Sequence, residues 1–377
     1  MTSKSILVTG GAGFIGSFLV DRLVSLGHKV RIIDNLDPQV HPNSIIPSYL
    51  NKDAEFIFGD IRDRDKLEKA LSGIHYIFHM ASAVGVGQSQ YEIDKYVDVN
   101  CHGTAQLWDI ILKKKLNIGK VIVPSSMTCF GEGLSLCQNC GTVKPHIRQS
   151  IDNINKVFSC LCPTCNMHVK PIATPSDSPM YPSSIYAYTK KFQEDISLNL
   201  SRTHSIPCTI FRYFNVYGPR QSLSNPYTGV SAIFISRIKN NKPPIIFEDG
   251  LQTRDFISVH DVTAANIKAI EDDTINFSAI NLGSGQPTSI KDLGTFLINL
   301  LNANCKIEIN LSFRKGDIRH CYADRHELSS RFGFSTKISL EDGLTELATW
   351  AKHEEAIDKS EIATSELINA GIINNNK

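Results

Sequence analysis

Residues 6–16, Ile-Leu-Val-Thr-Gly-Gly-Ala-Gly-Phe-Ile-Gly, constrain this chain more than any other stretch. Ile6, Leu7 and Val8 are consecutive apolar residues without polar alternation, the pattern of a parallel strand covered on both faces. Gly10, Gly13 and Gly16 follow with the spacing G-x-x-G-x-x-G. Gly10 permits a sharp turn off the strand, Gly13 removes a Cβ where a pyrophosphate would approach the backbone, and Gly16 lets the next helix lie close to the sheet. Phe14 and Ile15 open that helix, whose free N–H groups and positive end would face the phosphates. Phe18, Leu19, Leu23 and Leu26 give it an apolar face. A second strand over residues 29–33 ends in Asp34, 18 residues after Gly16, with Asn35 beside it. A carboxylate there accepts bonds from ribose hydroxyls and repels a 2′-phosphate, which selects NAD over NADP. A glycine turn serving another ligand is the alternative; the complete strand–loop–helix–strand–acid order argues against it.

A chain of 377 residues can bury a sizeable core in one large domain or two closely joined ones. Its net charge of +1 gives no electrostatic reason to expect nucleic acid or an anionic membrane as partner. No apolar stretch is long enough to span a bilayer, and the dinucleotide strand begins too near Met1 for a signal peptide, so a cytoplasmic protein is expected. In that compartment the ten cysteines should be reduced or bound to metal.

Strands are further expected at residues 55–58, 76–79 and 121–123, separated by helical segments. This alternation predicts an α/β fold, a doubly wound parallel Rossmann sheet with a smaller C-terminal substrate domain. Asp60 and Ile61 follow the third strand, where adenine contacts occur, and Asp60 could equally cap a helix. Met80, Ala81 and Ser82 follow the fourth, leaving room for the cofactor diphosphate and ribose. Asn100, polar among apolar neighbours, is expected to bridge two strands. The fifth strand ends in Ser125 and Ser126. Tyr186 and Lys190 are four apart and share a helix face. An ammonium beside a phenol lowers its pKa, so Tyr186 can exchange a proton with a sugar hydroxyl, with Ser126 sharing the hydrogen bond.

Gly10 to Gly16, Asp34, Asp60, Ile61, Asn100, Ser126, Tyr186 and Lys190 together resemble the extended short-chain dehydrogenase/reductase family, the NAD-dependent nucleotide-sugar epimerases and dehydratases. The resemblance extends over residues 5–345. It implies catalysis by Ser126, Tyr186 and Lys190, with Asn100, Ser125, Tyr186, Lys190 and Tyr213 also on the tightly bound NAD, Ser126 also on the substrate, and a nucleotide-diphosphate sugar as partner. It also implies that Asn215 and Arg220, in the block 211–221, meet the substrate. Arg254 and Arg314 would clamp its diphosphate, and Asp317 would lie near the nucleotide ribose. In that family the helices matching those near residues 105–112 and 186–200 pair across a two-fold axis, so the resemblance also implies a homodimer.

Ser126 and Tyr186 lie 60 residues apart, much farther than in the family. The added length holds Cys137-x-x-Cys140 and Cys162-x-x-Cys165, separated by 21 residues, the spacing of a zinc ribbon. Four thiolates leave no open coordination position, so Zn²⁺ would be structural; two disulfides are the alternative. The insertion is expected to border the active site and shape sugar specificity. The expected layout is an NAD-binding domain over residues 1–215, interrupted by a zinc-ribbon-like insertion at 132–172. A nucleotide-sugar-binding domain over 216–350 is partly interleaved with it, and 356–377 form a flexible tail.

Family dehydratases carry an acid pair where this chain has Met127 and Thr128, which cannot serve as acid and base for water elimination. A 4-epimerase acting through a transient 4-keto sugar remains. The cysteine-rich insertion resembles the subgroup acting on dTDP-L-rhamnose; UDP-glucose or UDP-N-acetylglucosamine is the alternative substrate. Cys321 occupies a position that gates pocket size in the UDP-hexose enzymes. A nucleotide-sugar reductase, or a non-catalytic NAD-binding sensor or scaffold, stays open.

Overall fold

A computed structural model describes residues 3–148 and 158–373. Seven strands form one central sheet: β1 Ser5–Thr9, β2 Lys29–Asp34, β3 Glu55–Phe58, β4 Tyr76–His79, β5 Lys120–Ser126, then Cys208–Tyr213 and Ser278–Leu282. Every pairing in it is parallel. From one edge the order is Ser278–Leu282, Cys208–Tyr213, β5, β4, β1, β2, β3. The order reverses between β1 and β4, and a ligand crevice opens at such a reversal, beyond the carboxyl ends of the strands. The expected doubly wound fold is present.

The unbroken apolar run of β1 has a direct cause. Ile6 and Val8 pack into one buried cluster with Leu19, Leu23, Phe78 and Ile122, while Leu7 packs into the opposite one with Ile77, Trp108, Val121 and Val123. Successive side chains alternate faces, and helices cover both, so no position is left for a polar residue. Residues 281–285, expected in the smaller domain, begin on the edge strand of this central sheet instead. The smaller sheet comprises Asn215–Tyr217, Thr253–Ser258 and Pro287–Ser289, with His320–Cys321 paired to the middle strand. Its core includes Tyr217, Phe234, Leu293, Leu297, Leu344 and Leu347.

The insertion carries a three-stranded antiparallel sheet of Ser135–Cys137, Gly141–Val143 and Lys170–Pro171; residues 149–157 of the expected insertion lie outside the described residues. The expected tail differs. A helix spans Ser360–Asn369, and Leu367, Ile372 and Ile373 are buried against Tyr91 and Phe247. The Glu366 carboxylate accepts hydrogen bonds from the Tyr91 and Tyr227 hydroxyls, and Lys315 donates its backbone N–H to the Ile372 carbonyl at 3.0 Å. The apolar spacing here is short and irregular, so its docking is not readable without the surface it meets. No helix among the described residues is long and apolar enough to cross a membrane.

Candidate active site

A cavity of about 650 Å³ lies at the carboxyl end of the central sheet. Gly10, Gly13, Phe14, Ile15 and Gly16 line one end of it. Gly10 has φ +67°, and a Cβ there would stand 2.8 Å from the Ala81 backbone. A Cβ on Gly16 would collide with the Gly10 carbonyl. Gly13 starts the helix Phe14–Ser25 with no side-chain cap, which leaves N–H groups for an anion. Asp34 lines the cavity and accepts bonds from the backbone N–H groups of Ala12 (3.0 Å) and Leu36 (2.9 Å). It therefore braces the glycine turn as well as presenting a carboxylate. Asn35, Asp60, Ile61, Met80, Ala81, Ser82, Ser125 and Tyr213 line the same wall. Asp60 is clamped by Arg62 at 2.7 Å and by Asn35 at 2.8 Å. These residues fit a dinucleotide: an uncapped helix start, a turn without Cβ atoms, and an acid at the second strand end.

Ser126, Tyr186 and Lys190 line the same cavity. Ser126 ends β5, and Ser184 caps the helix Ile185–His204, its hydroxyl accepting from the Ala187 N–H at 3.2 Å. A buried ion pair at 2.5 Å between Glu194 and Arg212 fastens that helix to Cys208–Tyr213. The Tyr186 ring packs edge-on to Tyr96 with centroids 6.4 Å apart. Burial pushes the Tyr186 phenol above its ordinary range, and a hydrogen bond with Ser126 opposes this. The expected lowering by Lys190 is absent from the chain alone. Lys190 Nζ donates instead to Gln193 Oε1 (2.8 Å) and Ser82 Oγ (3.3 Å), and the loss of solvation dominates at the phenol.

Four residues that carry no motif hold Lys190 in place. Gln193 Nε2 donates to Thr104 Oγ1 at 2.7 Å, and Thr104 donates to the Asn100 carbonyl. Thr104 Oγ1 can then only accept from His79 Nε2, at 2.9 Å, so His79 Nδ1 accepts from the Thr9 hydroxyl at 3.1 Å. Burial lowers the His79 pKa to about 3, which keeps this ring neutral next to the lysine. The Asn100 side chain does not bridge two strands. It joins the Ser82–Ala83 turn (2.9 and 2.7 Å) to Thr189 (2.9 Å) from a π-helical turn, Val97–His102, behind the cavity wall.

Burial also lowers Lys190 from 10.5 to about 8. The unfolded chain holds that proton between pH 8 and 10.5 while the folded chain has lost it, so this group's contribution to stability rises with pH over that window. Its charge disappears as pH rises through about 8, so kcat/KM, which follows the free enzyme, is expected to fall with a descending limb there. A pH–rate profile flat to pH 10 would show that the ammonium plays no part.

The cavity is also lined by Asn215, Tyr227, Phe247, Gln252, Arg254, Arg314, Gly316 and Asp317. Asn215 Oδ1 and Gln252 Oε1 are buried without hydrogen-bond partners among the described residues, as expected for groups awaiting a ligand. Among the described residues Arg254 donates only to the carbonyls of Thr253 (2.8 Å) and Arg319 (3.3 Å). Arg314 meets Asp317 at 2.9 Å. Three expectations fail here. Arg220 is turned away by a left-handed backbone (φ +65°), pairs with Asp21 at 2.7 Å and stacks on Phe18 and Tyr49. Cys321 is buried with Met127, Phe130 and Phe214 and does not line the cavity. No described residue of the insertion lines it either.

Within the insertion, the Sγ atoms of Cys137, Cys140, Cys162 and Cys165 all lie within 4.8 Å of one another. Cys137 and Cys165 are 3.4 Å apart and unbonded, as are all four thiols. A tetrahedral zinc with Zn–S near ~2.3 Å needs sulfur separations of this kind. Backbone N–H groups, chiefly that of Cys165, lower the Cys162 thiol to about 6.

The chain is 35% identical over 355 residues to the dTDP-L-rhamnose 4-epimerase of Burkholderia thailandensis, covering 93% of this chain and 96% of that one. It superposes on the UDP-glucose 4-epimerase of Thermotoga maritima with UDP-glucose at a TM-score of 0.76 and 28% identity, covering 92% and 98%. The UDP-glucuronic acid 4-epimerase of Bacillus cereus, in complex with UDP-glucuronic acid and NAD, gives 0.75 and 28%, covering 92% and 99%. Residues 6–150 and 157–283 match one family model, and the chain belongs to the NAD dependent epimerase/dehydratase family.

Proposed function

We propose that this protein is a nucleotide-sugar 4-epimerase that works through a transient 4-keto sugar, with dTDP-L-rhamnose as its substrate. The observation that carries this is one cavity lined by three sets of residues: the dinucleotide cradle, then Ser126, Tyr186 and Lys190, and then Asn215, Arg254 and Arg314. Tyr186 takes the C4 hydroxyl proton and returns it after the keto sugar has turned, and Ser126 shares the hydrogen bond. Lys190 holds a nicotinamide ribose. Bound NAD would supply the hydride acceptor and donor, and in its oxidised form a positive ring charge. Arg254 and Arg314 clamp the diphosphate with forked, charge-assisted bonds. Met127 and Thr128 line the cavity without a carboxylate, so water elimination has no acid–base pair at that place. Cys137, Cys140, Cys162 and Cys165 hold a structural zinc. Exposed Val97, Tyr188 and Phe192 supply an apolar face for a homodimer.

The test is a product assay without added NAD, on a panel of dTDP- and UDP-sugars, followed by NMR of the sugar C4 proton. Conversion of dTDP-L-rhamnose to its C4 epimer is expected. Turnover of a UDP-hexose alone would keep the mechanism and replace the substrate, a reading favoured by the likeness to the UDP-glucose enzyme. Net consumption of added NADH would identify a reductase. Bound NAD with no turnover of any sugar would move the protein to a sensor role.

A further inference from the structure

The cysteine-rich insertion contributes no described residue to the cavity wall, yet it sends one side chain into the substrate half of the molecule. Arg148 is 4% exposed and meets Glu132 at 3.1 Å and Glu248 at 2.9 Å. Its second terminal nitrogen donates to the Asp317 carbonyl at 3.0 Å, and its guanidinium lies over the Phe313 ring. Glu248 and Arg319, both 3% exposed, pair at 2.6 Å. The Glu132 carboxylate also accepts the backbone N–H groups of Arg319 and His320. Four buried charges thus join the insertion to two loops. One carries Phe247 and Gln252 to the cavity and leads into the strand that holds Arg254; the other carries Arg314, Gly316 and Asp317. Glu248 sits in a left-handed backbone (φ +56°), a conformation that persists only where its surroundings impose it.

We propose that Arg148 is a positioning residue for nucleotide-diphosphate binding, through which the insertion holds both loops and occupies Glu132 and Glu248. Arg254, with no carboxylate partner among the described residues, is thereby left free to meet a diphosphate. Without Arg148, Glu132 would have no guanidinium partner and would compete for that of Arg254. The insertion then governs substrate affinity from behind the wall. This rests on the epimerase reading above.

The experiment measures calorimetric Kd for dTDP and for UDP, bound NAD per chain, and the KM and kcat of whichever sugar the wild type converts. Arg148→Lys keeps the charge but cannot span two carboxylates and a carbonyl; it is expected to raise Kd and KM about tenfold, with kcat and NAD content unchanged. Arg148→Met is expected to raise them further, so the lysine variant partly rescues. If Arg148→Met fails to fold, the lysine variant decides alone. A lowered melting temperature with wild-type Kd would reduce Arg148 to a structural role and overturn the proposal, as would loss of NAD or of kcat at unchanged KM. A wild-type protein that holds NAD but binds neither dTDP nor UDP would overturn the epimerase reading and this proposal with it.

Discussion

Tyr186→Phe is expected to lower kcat by about 10²–10⁴-fold while bound NAD and nucleotide affinity stay as in the wild type. The substitution removes one oxygen. The ring that packs edge-on to Tyr96 remains, and Ser126, which lines the cavity, loses one bond while its Oγ still accepts from the Thr128 N–H (3.2 Å) and hydroxyl (3.0 Å). Stability should therefore hardly change, which separates a chemical loss from unfolding. Ser126→Ala should cost less, because it weakens the hydrogen bond without removing the proton carrier. Steady-state kinetics alongside NAD content and melting temperature check this. A Tyr186→Phe enzyme within a few-fold of wild-type kcat would mean that another group moves the proton.

Cys162→Ser is expected to empty the metal site and unfold the insertion while the central sheet survives. The insertion's sheet has strands of three, three and two residues, too small to build a core of its own. Structural zinc supplies apparent binding free energies of about 10–16 kcal/mol in small domains, which here would act as folding free energy. The Rossmann sheet has its own clusters on both faces and needs none of this. The wild type should carry about one zinc per chain by elemental analysis and the variant none. Limited proteolysis should then cut the variant within residues 132–172 and leave bound NAD in place. An insertion that stays protease-resistant without metal would count against the zinc assignment.

The features legible in the sequence are those whose geometry is carried by a few consecutive residues. A strand, a glycine turn and a helix start follow one another within residues 5–16, so their spacing alone reports the backbone they need. Tyr186 and Lys190 stand one helical turn apart, and two C-x-x-C knuckles carry their own turn, so these too are read directly. The resemblance to a family supplied Asn215, Arg254, Arg314 and Asp317, and the structure brings all four to one wall. Arg220 came from the same source and fails, because one left-handed residue reverses its direction.

What the tertiary structure decided has no period and no local signal. His79, Thr104, Gln193 and Thr9 are spread over most of the first two hundred residues, and they become one hydrogen-bonded line only when β1, β4 and two helices are stacked. Arg148 and Glu248 are one hundred residues apart and pair because folding buries both, where each charge requires the other. The helix Ser360–Asn369 reads as a polar tail until the surface of Tyr91, Tyr227 and Phe247 is there to receive it. Short-range backbone geometry thus named the glycine turn, the Tyr186–Lys190 pair and the four cysteines. Mutual burial of groups distant along the chain decided which arginines face the cavity, how the lysine is held and what the insertion supports.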